Sequence, residues 1–455
     1  IKQQSLHLLS DKEEILAASL RQSGSVLWNR LWNTITSTLK IPFRGVDYSL
    51  PALRNFSHDD NADIRKEAYF AEQNAYKEID KVAAFCMNAI KNEVITISKL
   101  RKYDSPLDRT LKEARLNQEV LDALLSAIRD SLPDFAKYLK HKATLLGHKN
   151  GLPFYDLFAP IGSTAKEYSI PEAEQFILTH FQSYSNALFE LAKKAFDNNW
   201  IDYTPRLNKR GGAFCAKIFG INESRILTNF SGSIGDVITM AHELGHAYHN
   251  EQVFKESILN SSYSASIAET ASVLAETIVK KAAIEETESV SEKIAILEQE
   301  LQDSTQVIVD IYSRFLFEDS VFSRAENEFL DENLLYEAMQ EAQKKSYLDG
   351  LDPNYLHPAM WINKPHYYSS GLSYYNFPYA FGLLFSKGIY ALYKERGSEF
   401  TNEIDNLLQQ TGKMNIFDVA QSIGIDISKK DFWKSSLKII IEDIHNFINL
   451  TKGEK

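Results

Sequence analysis

The sequence predicts a mainly α fold in two lobes, with one small β-hairpin, and three observations carry that expectation. Apolar residues recur at three- and four-residue steps through residues 67–100, 118–146, 171–199, 291–329 and 431–450, the rhythm of helices with a buried face. One stretch breaks the rhythm: residues 212–218 and 225–230 are short, rich in aromatic or β-branched side chains, and separated by Gly220, Ile221 and Asn222, which reads as a hairpin. The chain has 455 residues, more than one compact core usually holds, so two lobes or closely packed subdomains are expected.

Turn-forming clusters at Leu152-Pro153, Ala159-Pro160-Ile161-Gly162, Gly211-Gly212 and residues 349–353 separate the periodic segments as loops. After the hairpin, Ser233 and Asp236 have the spacing of a capping box, and Val237, Ile238, Ala241 and Leu244 supply the apolar stripe of the helix it would start. No internal repeat or low-complexity tract is present.

Composition excludes several classes of function. Hydrophobic residues make up 44% and charged residues 24%, with no apolar run near the roughly 18 residues that span a bilayer, so no membrane partner is expected. The formal charge is −11 with dispersed lysines, which argues against nucleic acid, because such binding rests on clustered Lys and Arg. Peptides or other small organic substrates fit better. Cys86 and Cys215 are the only cysteines, as in proteins of a reducing compartment; both are expected to be buried free thiols in a cytoplasmic protein. The opening residues Ile1, Lys2, Gln3 and Gln4 contain neither an initiator Met nor a leader pattern, so the start reads as that of a fragment or a processed chain.

The chemistry lies in the helix after the hairpin, which carries His242-Glu243-Leu244-Gly245-His246. At about 100° per residue, positions four apart nearly overlay, so His242 and His246 project two imidazoles from one face toward a single tetrahedral zinc ion. Glu243 stands one step round, where its carboxylate reaches a water on the metal without being a ligand. The competing reading is two histidines satisfied by neighbouring polar groups; the motif favours metal, and the third ligand sharpens that reading.

A metzincin layout fails, because His249 and Gln252 occupy the positions of its Gly and last His. The position of the thermolysin-type glutamate holds Ala265 and Ser266, and the nearest carboxylate is Glu269, in the helical stretch 266–276. Glu269 is therefore expected as the third ligand, from a helix antiparallel to the first. Glu276, two turns further on the same face, can accept a hydrogen bond from a ligand imidazole or stand as a solvated charge. His249 is expected to support the site or the core rather than bind metal.

Residues 364–382 gather seven aromatics and His366 into a Gly- and Ser-containing segment. Pro378 suits the first turn of a helix, leaving Tyr375 and the residues before it in a loop. Amide hydrolysis builds negative charge on the former carbonyl oxygen, and His366, Tyr375 and Tyr379 can donate hydrogen bonds to it or to the substrate backbone. Without a zinc motif in the same chain, such a cluster would read as core filling.

Taken together, the helix with residues 242–249, the segment Ala268-Glu269-Thr270-Ala271-Ser272 and the His/Tyr-rich loop before Tyr379-Ala380-Phe381-Gly382 resemble oligoendopeptidase F and its thimet-oligopeptidase relatives. The resemblance runs from about residue 60 to the closing Lys430-Asp431-Phe432-Trp433. It implies two helical lobes enclosing a deep channel, with residues 1–60 the remainder of a shortened N-terminal region and 61–455 the catalytic domain. Within that domain the active-site helices and hairpin would occupy about 205–280 and the His/Tyr loop 364–382. It implies one Zn2+ held by His242, His246 and Glu269, with Glu243 as base and His366, Tyr375 and Tyr379 in transition-state contacts, Tyr368 being a further candidate. The spacing from His366 to Tyr379 is longer than in better-known members, so tyrosine roles can be displaced along the loop.

The function that follows is a zinc metalloendopeptidase cutting internal bonds of short unfolded peptides, with Glu243 taking the proton of the attacking water and passing it to the leaving amine. The strand at residues 225–230 would hold the peptide in extended form through main-chain hydrogen bonds. The rivals are a zinc carboxypeptidase of similar helical fold, which needs a cationic pocket for a terminal carboxylate, and a non-catalytic peptide-binding relative. Cleavage-site preference and oligomeric state are not encoded in these motifs.

Overall fold

The computed structural model describes residues 4–163 and 166–452; Ile1, Lys2 and Gln3, part of the chain start considered above, lie outside them. The described chain is mainly α with small sheets, and it divides into two compact units. The first comprises Ile1–Glu113, Arg129–Pro160 and Ser304–Phe377, and the second Ala114–Ile128, Ile161–Asp303 and Pro378–Lys455.

The first unit packs helices including Ser25–Thr38, Ala62–Tyr76, Asp80–Leu100, Ile311–Ala325 and Glu332–Tyr347 around a core that contains Trp32, Tyr76, Met87, Phe317, Trp361, Tyr367 and Tyr368. The aromatic segment near residue 365 is thus partly core. Tyr368 stacks on Trp32 at 4.6 Å, and the Trp32 indole donates to the Ile362 carbonyl at 2.8 Å. A two-stranded hairpin, Ile41–Phe43 with Val46–Tyr48, was not foreseen, because its strands are three residues long and one contains Pro42. Arg44 and Gly45, both at positive φ, form its turn.

Two periodic segments prove to be helix pairs. Residues 67–100 break at Lys77–Ile79 into Ala62–Tyr76 and Asp80–Leu100. Residues 171–199 break at Ser185, whose extended backbone ends Ile170–Tyr184 and whose hydroxyl caps Asn186–Asp197 through the Leu188 N–H. Periodicity runs through such breaks because both helices bury the same kind of face. Between residues 291 and 329, a π-turn at Gln306–Asp310 interrupts the helix.

In the second unit, β1 (Ile201–Asp202), β2 (Phe214–Ile218) and β3 (Glu223–Leu227) form a sheet in the order β1-β3-β2. β2 and β3 are the expected hairpin, in register from Phe214 opposite Leu227 to Ile218 opposite Glu223, with Asn222 left-handed in the turn. β1 adds a parallel pairing, Ile201 with Ile226 and Asp202 with Leu227. This corrects the expected role of residues 225–230. β3 is the central strand, its main chain engaged by both neighbours, so β1 and β2 are the edges of this sheet.

Helix α1 (Ile234–Val253) follows, started by the expected capping box of Ser233 and Asp236. It packs against the hairpin, against Asn186–Asp197, against α2 (Thr270–Glu286) and against Phe400–Gln410. From Ala241 to Asn250 every residue of α1 is buried except His242 and His246. A helix covered on nearly all sides sits inside its unit, and its one partly open face carries the two histidines.

Gly245 explains how α2 comes so close. A Cβ there would lie 2.5 Å from the Ala271 carbonyl oxygen and 2.5 Å from the Ser272 Cα, so the helices cross backbone on backbone. The prediction is that Gly245→Ala, forced against main chain rather than a movable side chain, lowers unfolding stability by about 1–3 kcal/mol or more. Urea or thermal unfolding checks this, and an unchanged midpoint would show that the helices do not meet there.

Candidate metal centre

Because α1 and α2 cross at Gly245, the residue just before α2 falls opposite the two imidazoles. That residue is Glu269, between the short helix Ala265–Ala268 and α2. Its Oε2 lies 3.3 Å from His242 Nε2 and 3.4 Å from His246 Nε2. The three side chains offer ligand atoms within 4.8 Å of one another, and all three are partly exposed. The Ser272 hydroxyl donates to Glu269 Oε2 at 2.9 Å and fixes the carboxylate. From helix α3 (Val290–Thr305), helix α4 (Phe377–Arg396) and α2, further groups close around this cluster. On α4, a Cβ at Gly382 would lie 3.3 Å from Glu269 Cβ, so this glycine makes room for the carboxylate.

Each imidazole is oriented. His242 turns Nδ1 to Glu276 Oε2 at 2.9 Å, which leaves Nε2 for the cluster. Glu276 is thereby a hydrogen-bond partner of His242, not a solvated charge. His249, one turn past His246, is fully buried, hydrogen-bonded to the Thr411 hydroxyl at 2.9 Å and stacked on Tyr263 at 4.1 Å. It packs in the core and offers nothing to a metal.

Two carboxylates set the charge around the imidazoles. Burial alone would lower the His242 pKa, but the Glu269 and Glu276 carboxylates at its two nitrogens raise it to about 10. Burial would raise Glu269, yet hydrogen bonding from His242 and the neighbouring His246 hold it down to about 2. Burial pushes His246 down to about 4, which keeps it neutral and able to ligate near neutral pH. Two nitrogens and one carboxylate oxygen converging from one side are the donor set of zinc sites that keep an open position.

Glu243 follows His242 directly on α1. It is 6% exposed, its Oε2 is buried without a hydrogen-bond partner, and burial pushes its pKa up to about 7. Of the groups around the cluster, this carboxylate thus has one oxygen with no protein donor.

The aromatic segment divides. Tyr379 is on α4, one turn before Gly382, in the same unit as His242, His246 and Glu269, and is 40% exposed. His366 and Tyr375 belong to the first unit, where their rings lie 5.7 Å apart. His366 sits in the 3-10 turn Pro365–Tyr368 rather than a loop; burial, with Arg314, Lys91 and Lys364 nearby, drives its pKa down to about 2, so it is neutral. Tyr368 is corrected to a core residue, because it is wholly buried against Trp32 and has no surface to offer a substrate. Neither cysteine is in a disulfide; Cys86 is buried, whereas Cys215, in β2, is only half-buried because that strand lies at the sheet edge.

The residues missed by sequence reasoning are Ser272 and the buried ions behind Glu276. Lys280 and Glu300 look like ordinary helix-surface charges in sequence, and only the packing of α2 on α3 turns them inward.

Oligopeptidase PepF of Bacillus subtilis (strain 168) is 23% identical over 96% of this chain and 66% of its own length. The chain thus spans about two thirds of that relative. Among solved structures, a Chlamydophila abortus protein superposes with a TM-score of 0.88 at 22% identity, over 98% of this chain and 76% of its own. Oligoendopeptidase-F from Enterococcus faecium gives 0.74 at 16% identity, over 98% and 75%. These two likenesses establish a shared fold. The model of peptidase family M3 matches residues 55–439, a span that includes the α1 histidines, Glu269 and the aromatic segment, and the chain belongs to that family.

Proposed function

We propose that this peptidase is a zinc-dependent endopeptidase acting on internal bonds of short, unfolded peptides. The observation that carries the reading is the Glu243 carboxylate oxygen, buried and without a donor, one residue from His242 in the cluster that His246 and Glu269 complete. When bound by these three side chains, zinc would lower the pKa of a water and polarise the scissile carbonyl.

The chain's own residues then carry the proton and the substrate. Glu243 accepts the proton of the attacking water and returns it to the leaving amine. Its buried setting, with a pKa near 7, lets it do both near neutral pH. Glu276 holds the His242 ring in the tautomer that presents Nε2. Tyr379, protonated at neutral pH, donates to the developing oxyanion or the substrate backbone. His366 and Tyr375 keep their proposed roles in such contacts from the family resemblance alone.

The edge position of β2 supports recognition of extended peptide. An added strand at Phe214–Ile218 would be read through main-chain groups, which favours unfolded substrates and tolerates varied side chains. Two free thiols in a large chain fit a cytoplasmic setting, and no described helix is long and apolar enough to cross a membrane.

Glu243→Gln is predicted to bind zinc as the wild type does while losing at least about a hundredfold in turnover. Metal analysis alongside a quenched fluorescent peptide assay checks both, and full activity would remove Glu243 as the base. A chelator should abolish cleavage and added zinc restore it. A peptide with an amidated C-terminus should be cut as well as its free-acid form, whereas strict need for the free carboxylate would point to a carboxypeptidase. Tyr379→Phe should lower kcat by about tenfold or more with zinc content unchanged, the loss of one donor to a developing oxyanion; an unaltered rate would place its hydroxyl elsewhere.

A further inference from the structure

The carboxylate behind His242 does not end the chain of contacts. Glu276 Oε1 meets Lys280 Nζ at 2.5 Å, one turn on along α2. The same ammonium meets Glu300 Oε2 on α3 at 2.5 Å, and Glu300 Oε1 meets Lys387 Nζ on α4 at 2.8 Å. Lys280, Glu300 and Lys387 are each at most 6% exposed. A line of alternating charge therefore runs from the His242 ring through three helices into the interior.

Burying such a chain is costly in desolvation, and packed hydrophobic residues would hold three helices together at least as well. Its arrangement points to a second role. Lys280 is the cation shared by two carboxylates, one of which orients the metal ligand. Without it, Glu276 and Glu300 would face each other with no charge between them, and their repulsion would turn Glu276 away from His242 Nδ1. We propose that Lys280, clamped between Glu276 and Glu300, is a positioning residue that holds Glu276 against His242 and so sets how tightly the site binds its metal. The inference rests on His242 being a zinc ligand.

The adjacent Lys281 provides the control. It pairs with Asp443, is also on α2, and among the described residues forms no ion pair with Glu276 or Glu300. Zinc affinity is measured on the full chain by competition with a chromogenic chelator, using the metal alone. Lys280→Met is expected to bind zinc about 10–100-fold more weakly than wild type, while Lys281→Met and Glu300→Gln, which leave Lys280 beside Glu276, stay within about threefold. Should Lys280→Met fail to fold, Lys280→Gln, which keeps a polar side chain but no charge between the two carboxylates, is expected to show the same weakening.

Equal zinc affinity in the Lys280 and Lys281 variants would overturn the positioning role and leave the network as helix packing only. Wild-type zinc affinity in His242→Ala would overturn the metal assignment itself. Loss of zinc in His242→Ala with none in Lys280→Met would sink this inference alone.

Discussion

The structure of the candidate site depends on the contact of two helix backbones at Gly245. With no side chain there, α1 and α2 approach until Ala271 and Ser272 fill the space of a Cβ, and Glu269, just before α2, is carried opposite two imidazoles one turn apart. A bulkier residue would move the carboxylate and not the histidines, since those are fixed by the register of a single helix. The His-His-Glu cluster is therefore an outcome of helix packing as much as of the residues that form it, and Gly382 repeats the device by leaving room for Glu269 from α4.

Around this contact the protein spends polar groups where apolar ones would pack. α1 is buried on nearly every side, yet it carries Glu243, whose oxygen lacks a donor, and His242, whose second nitrogen is tied to a partly buried ion chain. Such groups are costly unless a function holds them there. His249, on the same helix, stands apart from the cluster, hydrogen-bonded to Thr411 and stacked on Tyr263 in the core. The site and the core are separated by which face of one helix a residue occupies.

Much of this was legible in the sequence because it is local. The 3.6-residue rhythm, the Ser233–Asp236 box and the H-E-x-x-H spacing depend on neighbours within two turns, and the mainly α fold and the start of α1 follow from them. Glu269 was legible only by eliminating other layouts, since its approach depends on a crossing that no local pattern records. The strand β1, two residues long, gave no periodic signal, so β3 looked like an edge when it is the centre of its sheet. Tyr368 looked like its neighbours in composition, and only the stacked Trp32, 336 positions earlier in the chain, shows that it belongs to the core. The charges at Lys280 and Glu300 were hidden for the same reason, because a helix that turns a lysine inward leaves no mark on its sequence.

The most direct test of the account is anomalous diffraction at the zinc edge from crystals of the chain grown with zinc. One peak is predicted, bonded to His242 Nε2 and His246 Nε2 at about 2.0–2.1 Å and to a Glu269 oxygen at about 2.0–2.2 Å, with a fourth position open beside Glu243. A peak elsewhere, or one from which the Glu269 carboxylate stands beyond bonding distance, would contradict it.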